Sequence, residues 1–291
     1  YREWIMEIDP MALTDIIRAA EVIEEEKIAS VDNSHAEAWA ELYDVLSTEE
    51  FAVLYHAMQR KTYQSEETIV EQGSMQSCLY FISQGKVKIH YRDRRGDALV
   101  KVATKGEILG AETVFDASVW TVSATCMART EMMILKIKEL AKWRDDYPSL
   151  ESKLSDFCMK SESLKQFFKV SGKDRRHAKR HKVEGRINNM LLDTRGRDTG
   201  ITSKGDLFDV SAGGVSFYLR ISQKKNARLL LGRNMRVTMA TAAAPSEQIG
   251  VEGTIIAVRG HQALENEFSV HVKFTRDLGS SELQGIIDAA H

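Results

Sequence analysis

Arg176-His177-Ala178-Lys179-Arg180 sets two guanidinium groups four residues apart, and Arg175 adds a third just before them. A guanidinium is a planar, permanently charged fork of N–H donors. Each can grip a phosphate, or the O6/N7 edge of a guanine, through two parallel hydrogen bonds. Further along, Asp209-Val210-Ser211-Ala212-Gly213-Gly214 supplies a carboxylate that can accept guanine N–H donors and a hydroxyl for another hydrogen bond. Its glycines, Gly213 and Gly214, let the backbone turn tightly and approach a ligand closely. A ligand with two phosphates and two guanines satisfies both clusters at once.

Taken alone, the basic stretch Lys173–Lys182 (KDRRHAKRHK) also reads as a solvated charged run or as a phosphate-binding patch for nucleic acid. The downstream Asp209, Ser211 and Gly214 turn the balance toward a nucleotide. His177 and His181 stand at i, i+4, a metal-holding spacing on a helix. No cysteine or second acidic ligand set accompanies them, so no metal is expected.

The clusters need a scaffold, and the surrounding sequence has the pattern of one. Gly205–Leu219 (GDLFDVSAGGVSFYL) reads as strand, glycine turn, strand. Met235–Met239, Gly250–Arg259 and Glu267–Phe274 are further short segments rich in Val, Ile and Phe, separated by turn residues. Ser280–Ala289 has helical apolar spacing at Leu283, Ile286 and Ile287. R-x-x-x-R followed by D-x-S-x-x-G, bracketing such a domain, resembles the PilZ family over roughly residues 170–291. The resemblance implies a six-stranded antiparallel β-barrel that binds the bacterial second messenger cyclic di-GMP. It implies Arg175, Arg176, Arg180, Asp209, Ser211, Gly213 and Gly214 as ligand contacts. In that family the residue before the motif influences whether one ligand or an intercalated pair binds. Arg175 stacked on a guanine face favours the pair.

The chain as a whole sets the bounds. Its 291 residues suit about two domains. A net charge of −2 with 43% hydrophobic residues describes a soluble globular protein whose main partner is neither bulk DNA nor an anionic membrane. The basic decapeptide is thus a local feature that fits a small anionic ligand. Cys78, Cys126 and Cys158 lie far apart and are odd in number, as expected of reduced thiols in the cytoplasm. No apolar run is long enough to span a membrane, and YREWIMEIDP lacks the features of a secretory signal. It also lacks an initiator Met, which points to residues missing before Tyr1.

Residues 1–46 read as a helical segment. Pro10 starts a helix with an apolar stripe of Leu13, Ile16, Ile17, Ala20 and Ile23, and a second helical stretch covers His35–Leu46. Ser47-Thr48-Glu49-Glu50 caps the next helix. Across residues 47–147 the period changes. Ile69-Val70, Leu79–Ile82, Lys86–Tyr91, Leu99–Val102 and Trp120–Ala124 are strand-like, and Arg95-Gly96-Asp97 reads as a hairpin turn. The segments TIVEQGSMQSCLYFISQGKVKIHYRDRRGDALVKV and KGEILGAETVF resemble the cyclic-nucleotide-binding domain family, implying a β-roll with a short phosphate-cradling helix. In that family a Glu holds the ribose hydroxyl and an Arg pairs with the cyclic phosphate. Here Gly110 keeps the turn, the Glu position falls on Ala111 or, one register later, on Glu112, and the Arg position falls on Trp120 beside Thr121. Arg129 lies in the next strand. Losing that guanidinium forfeits about 1.5–3 kcal/mol, a roughly ten- to hundredfold loss of affinity. Gly110, Glu112, Trp120 and Thr121 therefore line either a pocket for cyclic AMP or another nucleotide, or a β-roll kept as scaffold or dimerisation module.

Residues 148–171 read as a connecting helix. Pro148 suits its first position, and Leu150, Leu154, Phe157, Ser161, Leu164 and Phe168 recur at heptad-like spacing. A parallel homodimer through 148–170 is expected, with packing on the chain's own β-roll as the alternative. The helix stops at Ser171-Gly172, and the arginine motif follows at once in the second domain, 172–291. The whole is mainly β with helices, an α+β protein. No P-loop, metal cluster or nucleophile with a histidine base is evident, so the expected function is a non-enzymatic cyclic di-GMP receptor that signals to an unidentified downstream protein. The alternative is a cyclic AMP- or cyclic GMP-responsive regulator with the barrel as output. A DNA-binding regulator is disfavoured because strands occupy the place of a helix-turn-helix.

Overall fold

The computed structural model describes residues 10–29, 31–93, 96–161, 178–222, 224–241, 244–260 and 266–289. Helices α1 (Pro10–Ala29), α2 (Asn33–Ala38), α3 (Ala40–Tyr43) and α4 (Thr48–Ala57) lead into the first β-domain. The long apolar stripe of α1 stays exposed, with Ile16 at 56% and Ile17 at 50%. The expected helix over His35–Leu46 is broken at Trp39, whose φ and ψ are not helical because its ring turns into the core against Phe81. Ser47 and Glu50 form a full capping box at the start of α4.

Strands β1 (Gln59–Tyr63), β2 (Thr68–Val70), β3 (Cys78–Gln84), β4 (Lys86–Asp93), β5 (Gly96–Thr104), β6 (Ile108–Leu109), β7 (Ser123–Cys126) and β8 (Thr130–Lys136) form two four-stranded antiparallel sheets, ordered β1-β8-β3-β6 and β2-β7-β4-β5. Alternation explains the layering. Val87, Ile89 and Tyr91 of β4 point into the core between the sheets, while His90 and Arg92 point out. Short helix α5 (Ala111–Phe115) follows β6, and α6 (Ile137–Leu140) follows β8.

Helix α7 (Leu150–Ser161) uses the first part of the expected seam within its own domain. Leu150, Leu154 and Cys158 are buried against Trp39, Phe51 and Leu135 of their own domain. The heptad spacing over this part serves an intramolecular core, so these side chains are not available to a homodimer partner. Leu164 and Phe168 lie outside the described residues. Glu50 ties α7 to the capping box, accepting from Lys153 Nζ at 2.7 Å and Ser149 Oγ at 3.0 Å. Burial alone would raise its carboxyl, but the hydrogen bonds from Lys153, the Ser47 N–H and Ser149 outweigh that and hold it below the usual carboxylate range.

The second domain is a closed six-stranded antiparallel barrel. Its strands are β9 (His181–Leu192), β10 (Asp198–Ser211), β11 (Gly214–Arg220), β12 (Asn234–Thr241), β13 (Ala244–Gly260) and β14 (Glu267–Phe274), in the closed order β10-β11-β14-β13-β12-β9. Helix α8 (Lys224–Leu230) joins β11 to β12, and α9 (Ser280–Ala289) lays the buried Ile286 onto the barrel core. Val210, Phe217, Val237, Ile255 and Val270 fill the interior.

The two domains meet through the turn after α5. Val119 N–H donates to Ile256 O at 3.0 Å and Val258 N–H to Ala117 O at 3.0 Å, with Ser118 and Ala257 bridged as antiparallel partners. Strand β13 runs past the last β12 pairing, Asn234 with Thr254, and shifts register between Ile255 and Ala257. That leaves backbone groups free at this point of β13, and Ala117 and Val119 of the first domain pair with two of them. Arg259 Nε lies 3.6 Å from Asp116, and an Arg228 guanidinium N–H reaches Val114 O.

Candidate ligand site on the barrel

Strand pairing brings Arg180, the described arginine of the first motif half, to the second half. Lys182 pairs with Asp209 and His181 with Val210 across β9 and β10, so Arg180, directly before β9, emerges beside Asp209. Its Nη1 donates to both Asp209 oxygens, at 3.2 and 3.1 Å, and to Ser216 Oγ at 3.4 Å. A bulge between Leu207 and Asp209 lets β10 bury both Leu207 and Val210 while the Asp209 carboxylate still meets the guanidinium. Asp209 is only 9% exposed, and Arg180 keeps 36% of its side chain in solvent.

Ser211 is buried and donates to Gly214 O at 3.3 Å. The glycines serve the barrel directly. A Cβ on Gly214 would sit 2.6 Å from Val272 O, so the close approach that demands a glycine is that of β14. Gly213 lies in the β10–β11 turn, its carbonyl accepting from Phe274 N–H at 3.0 Å. Arg175 and Arg176, like His177, lie outside the described residues. His181 opens strand β9 rather than lying on a helix. Among the described residues no group of three or more His, Cys, Asp or Glu is arranged to hold a metal.

Two further polar side chains complete the site. Asp209 pairs with Ser216, and Ser216 with His271, across β10, β11 and β14. Ser216 Oγ is 2.8 Å from His271 Nδ1, and His271 Nε2 is 3.3 Å from Ser269 Oγ. The signal was present in the alternation of Glu267–Phe274, where Phe268, Val270 and Val272 face in and Ser269, His271 and Lys273 face out.

Residues 60–147 match the family model for the cyclic nucleotide-binding domain, and residues 174–289 match the PilZ domain. The chain is a cyclic nucleotide-binding-like domain followed by a PilZ domain. No curated protein matches it. Among solved structures, the N-terminal domain of a transcriptional regulator from Streptomyces coelicolor A3(2) is 21% identical with a TM-score of 0.37, covering 45% of this chain and 89% of that one. The Thermus thermophilus Catabolite Activator Protein is 21% identical with a TM-score of 0.38, covering 45% and 59%. A cyclic nucleotide-binding domain from Methylobacillus flagellatus is 15% identical with a TM-score of 0.42, covering 48% and 87%.

In the cyclic nucleotide-binding-like domain, Gly110, Glu112, Trp120 and Thr121 do come together, around a cavity of about 20 Å³. That volume holds about one water. Gly110 has φ +98° at the N-terminus of α5, and a Cβ there would meet Cys78 O at 2.2 Å and the Trp120 ring at 3.0 Å. Trp120 is buried edge-on to Tyr80, with Nε1 donating to Gln76 O at 2.8 Å. Its backbone is held by Ser74 O and Gly73 N–H and not by a ladder, so the strand expected over Trp120–Ala124 begins only at Ser123. The apolar run reflects a side chain filling the cassette. No helix among the described residues is long and apolar enough to cross a membrane.

Proposed function

We propose that this chain is a non-enzymatic receptor for cyclic di-GMP, which binds at the PilZ domain and alters how the two domains are arranged. The observation that carries the reading is the Arg180 fork held against the Asp209 carboxylate at 3.1 Å, beside Ser216. In the free protein the pair satisfies itself. When ligand enters, Arg180 turns its fork to a phosphate and Asp209 accepts a guanine N–H in its place. The exchange is between charge-assisted hydrogen bonds of similar kind, so neither group is left buried without a partner. Arg175 and Arg176 add the other cations the dinucleotide needs, Arg175 stacking on a guanine, while Ser211, Gly213 and Gly214 shape the floor.

The signal is the junction between the connecting helix and the barrel. Several like charges there are neutralised by the ligand, which then favours one docked arrangement. It shifts that equilibrium only by its differential affinity for the two arrangements. The protein works in the cytoplasm, where cyclic di-GMP is made, and acts on a downstream protein. A homodimer through 148–170 would have to use side chains other than Leu150 and Leu154, which are engaged in their own domain. A cyclic AMP-responsive first domain is the weaker reading, since Trp120 fills the cassette and supplies no cation for a phosphate.

Isothermal calorimetry with each nucleotide tests the reading. Cyclic di-GMP gives saturable heat at one or two ligands per chain, and cyclic AMP gives none. Heat from cyclic AMP alone overturns it.

A further inference from the structure

The clasp between Ala117–Val119 and β13 holds the outer face of the β2-β7-β4-β5 sheet opposite the barrel's β13 and β14. The space between them is a cleft of about 1080 Å³ with both domains in its walls. Its size is at the upper end of small-molecule sites, about 300–1,000 Å³. Arg180, His271 and Lys273 stand on the barrel side, and His90 and Arg92 on the other. The described arginine of the PilZ motif thus opens toward the neighbouring domain.

The far wall has the chemistry to take part. Arg92 presents a second planar fork, 78% exposed, its Nε and Nη2 on the two Asp97 oxygens at 2.7 and 3.1 Å. Its backbone N–H is fixed by Gln72 Oε1 at 2.8 Å, and His90 Nε2 sits 3.1 Å from Thr125 Oγ1. The arrangement repeats that of Arg180 with Asp209: a guanidinium parked on a carboxylate at the edge of the same cleft. Arg92 and His90 face outward from β4 by strand alternation and contribute nothing to the core between the sheets.

We propose that the dinucleotide site is composite, with Arg92 and His90 of the first domain forming its second wall, so that one ligand is gripped from both domains. This rests on the cyclic di-GMP reading above. It gives the cyclic nucleotide-binding-like domain a role in ligand binding through its outer face, while Trp120 fills its cassette.

Calorimetric titration of the full chain with cyclic di-GMP tests it, comparing Arg92→Ala, His90→Ala and, as a control on another face, Arg60→Ala. The expected result is an affinity about tenfold weaker for Arg92→Ala, several-fold weaker for His90→Ala, and unchanged for Arg60→Ala. Arg92→Lys, which keeps the charge but not the fork, falls between. If Arg92→Ala binds like Arg60→Ala, the composite site is wrong and the receptor reading stands. If the unaltered chain does not bind, both fall.

Discussion

Trp120 occupies the position where the family's phosphate arginine was expected, and its surroundings show what that exchange does. The ring lies over Gly110 and packs on Tyr80 with its N–H satisfied by Gln76 O. Trp120→Ala is therefore expected to cost the first domain about 3–5 kcal/mol, seen as a lower melting temperature, without creating cyclic AMP binding, because a cavity without a cation still lacks a phosphate partner. Recovery of cyclic AMP binding in that variant would contradict this account. At this scale the pairing of Arg180 with Asp209 was legible, since the two carry their opposite charges in their residue types. Alternation showed that His271 faces away from the barrel core, but not that register sets Ser216 beside Asp209 and His271 beside Ser216. The requirement for Gly214 was legible, but its cause was not, since the crowding atom belongs to Val272, far along the chain.

At the scale of elements, the decisive piece is the turn after α5. Ala117 adopts φ +45°, which a non-glycine residue takes at a cost of about 1–2 kcal/mol, and the inter-domain pairing holds it there. Val119→Pro removes the N–H that reaches Ile256 O. The expected outcome is loss of hydrogen-exchange protection at the Val258 amide and a more extended scattering profile, with protection kept at barrel amides such as Val270. Val119→Ala, which retains the N–H, leaves both unchanged. Undiminished protection at Val258 in the proline variant would show that the clasp does not hold the domains. Periodicity located β14 and α9 to the residue, because Glu267–Phe274 alternates cleanly and Ser280–Ala289 carries one buried stripe. For α7 it left two covers open, a second chain and the chain's own β-roll. A heptad states only that one side of a helix is apolar, and here α4, β8 and the Trp39 turn supplied the cover from within the chain.

For the whole molecule, two histidines set a dependence on pH. Burial pushes the His35 imidazole, stacked on Trp39, and the half-buried His90 imidazole below their ordinary value of 6.5. The unfolded chain then binds more protons than the folded one below that pH, so stability rises with pH. Stability is expected to be full above about 6.5 and to fall as pH drops from there through the lower folded values. Denaturant midpoints measured from pH 7.5 to 5 check the sign, and His35→Gln should flatten the slope. Midpoints that rise as pH falls would refute the assignment. Domain order and class could be read from where the period changes, at Thr68 and again after Ser171. How the domains meet could not, because the contact joins a turn in one to an edge left open by a register shift in the other, and neither leaves a pattern in the sequence.

The most direct test of the central claim is calorimetric titration with cyclic di-GMP of the unaltered chain beside Arg180→Ala and Asp209→Ala. The account predicts saturable binding by the unaltered chain and a loss of about 2 kcal/mol, roughly thirtyfold, in each variant. Free Arg180→Ala melts lower than the unaltered chain because it leaves the nearly buried Asp209 carboxylate without its guanidinium partner, so affinities are compared at a temperature where all three are folded. Equal affinity in all three proteins would contradict it.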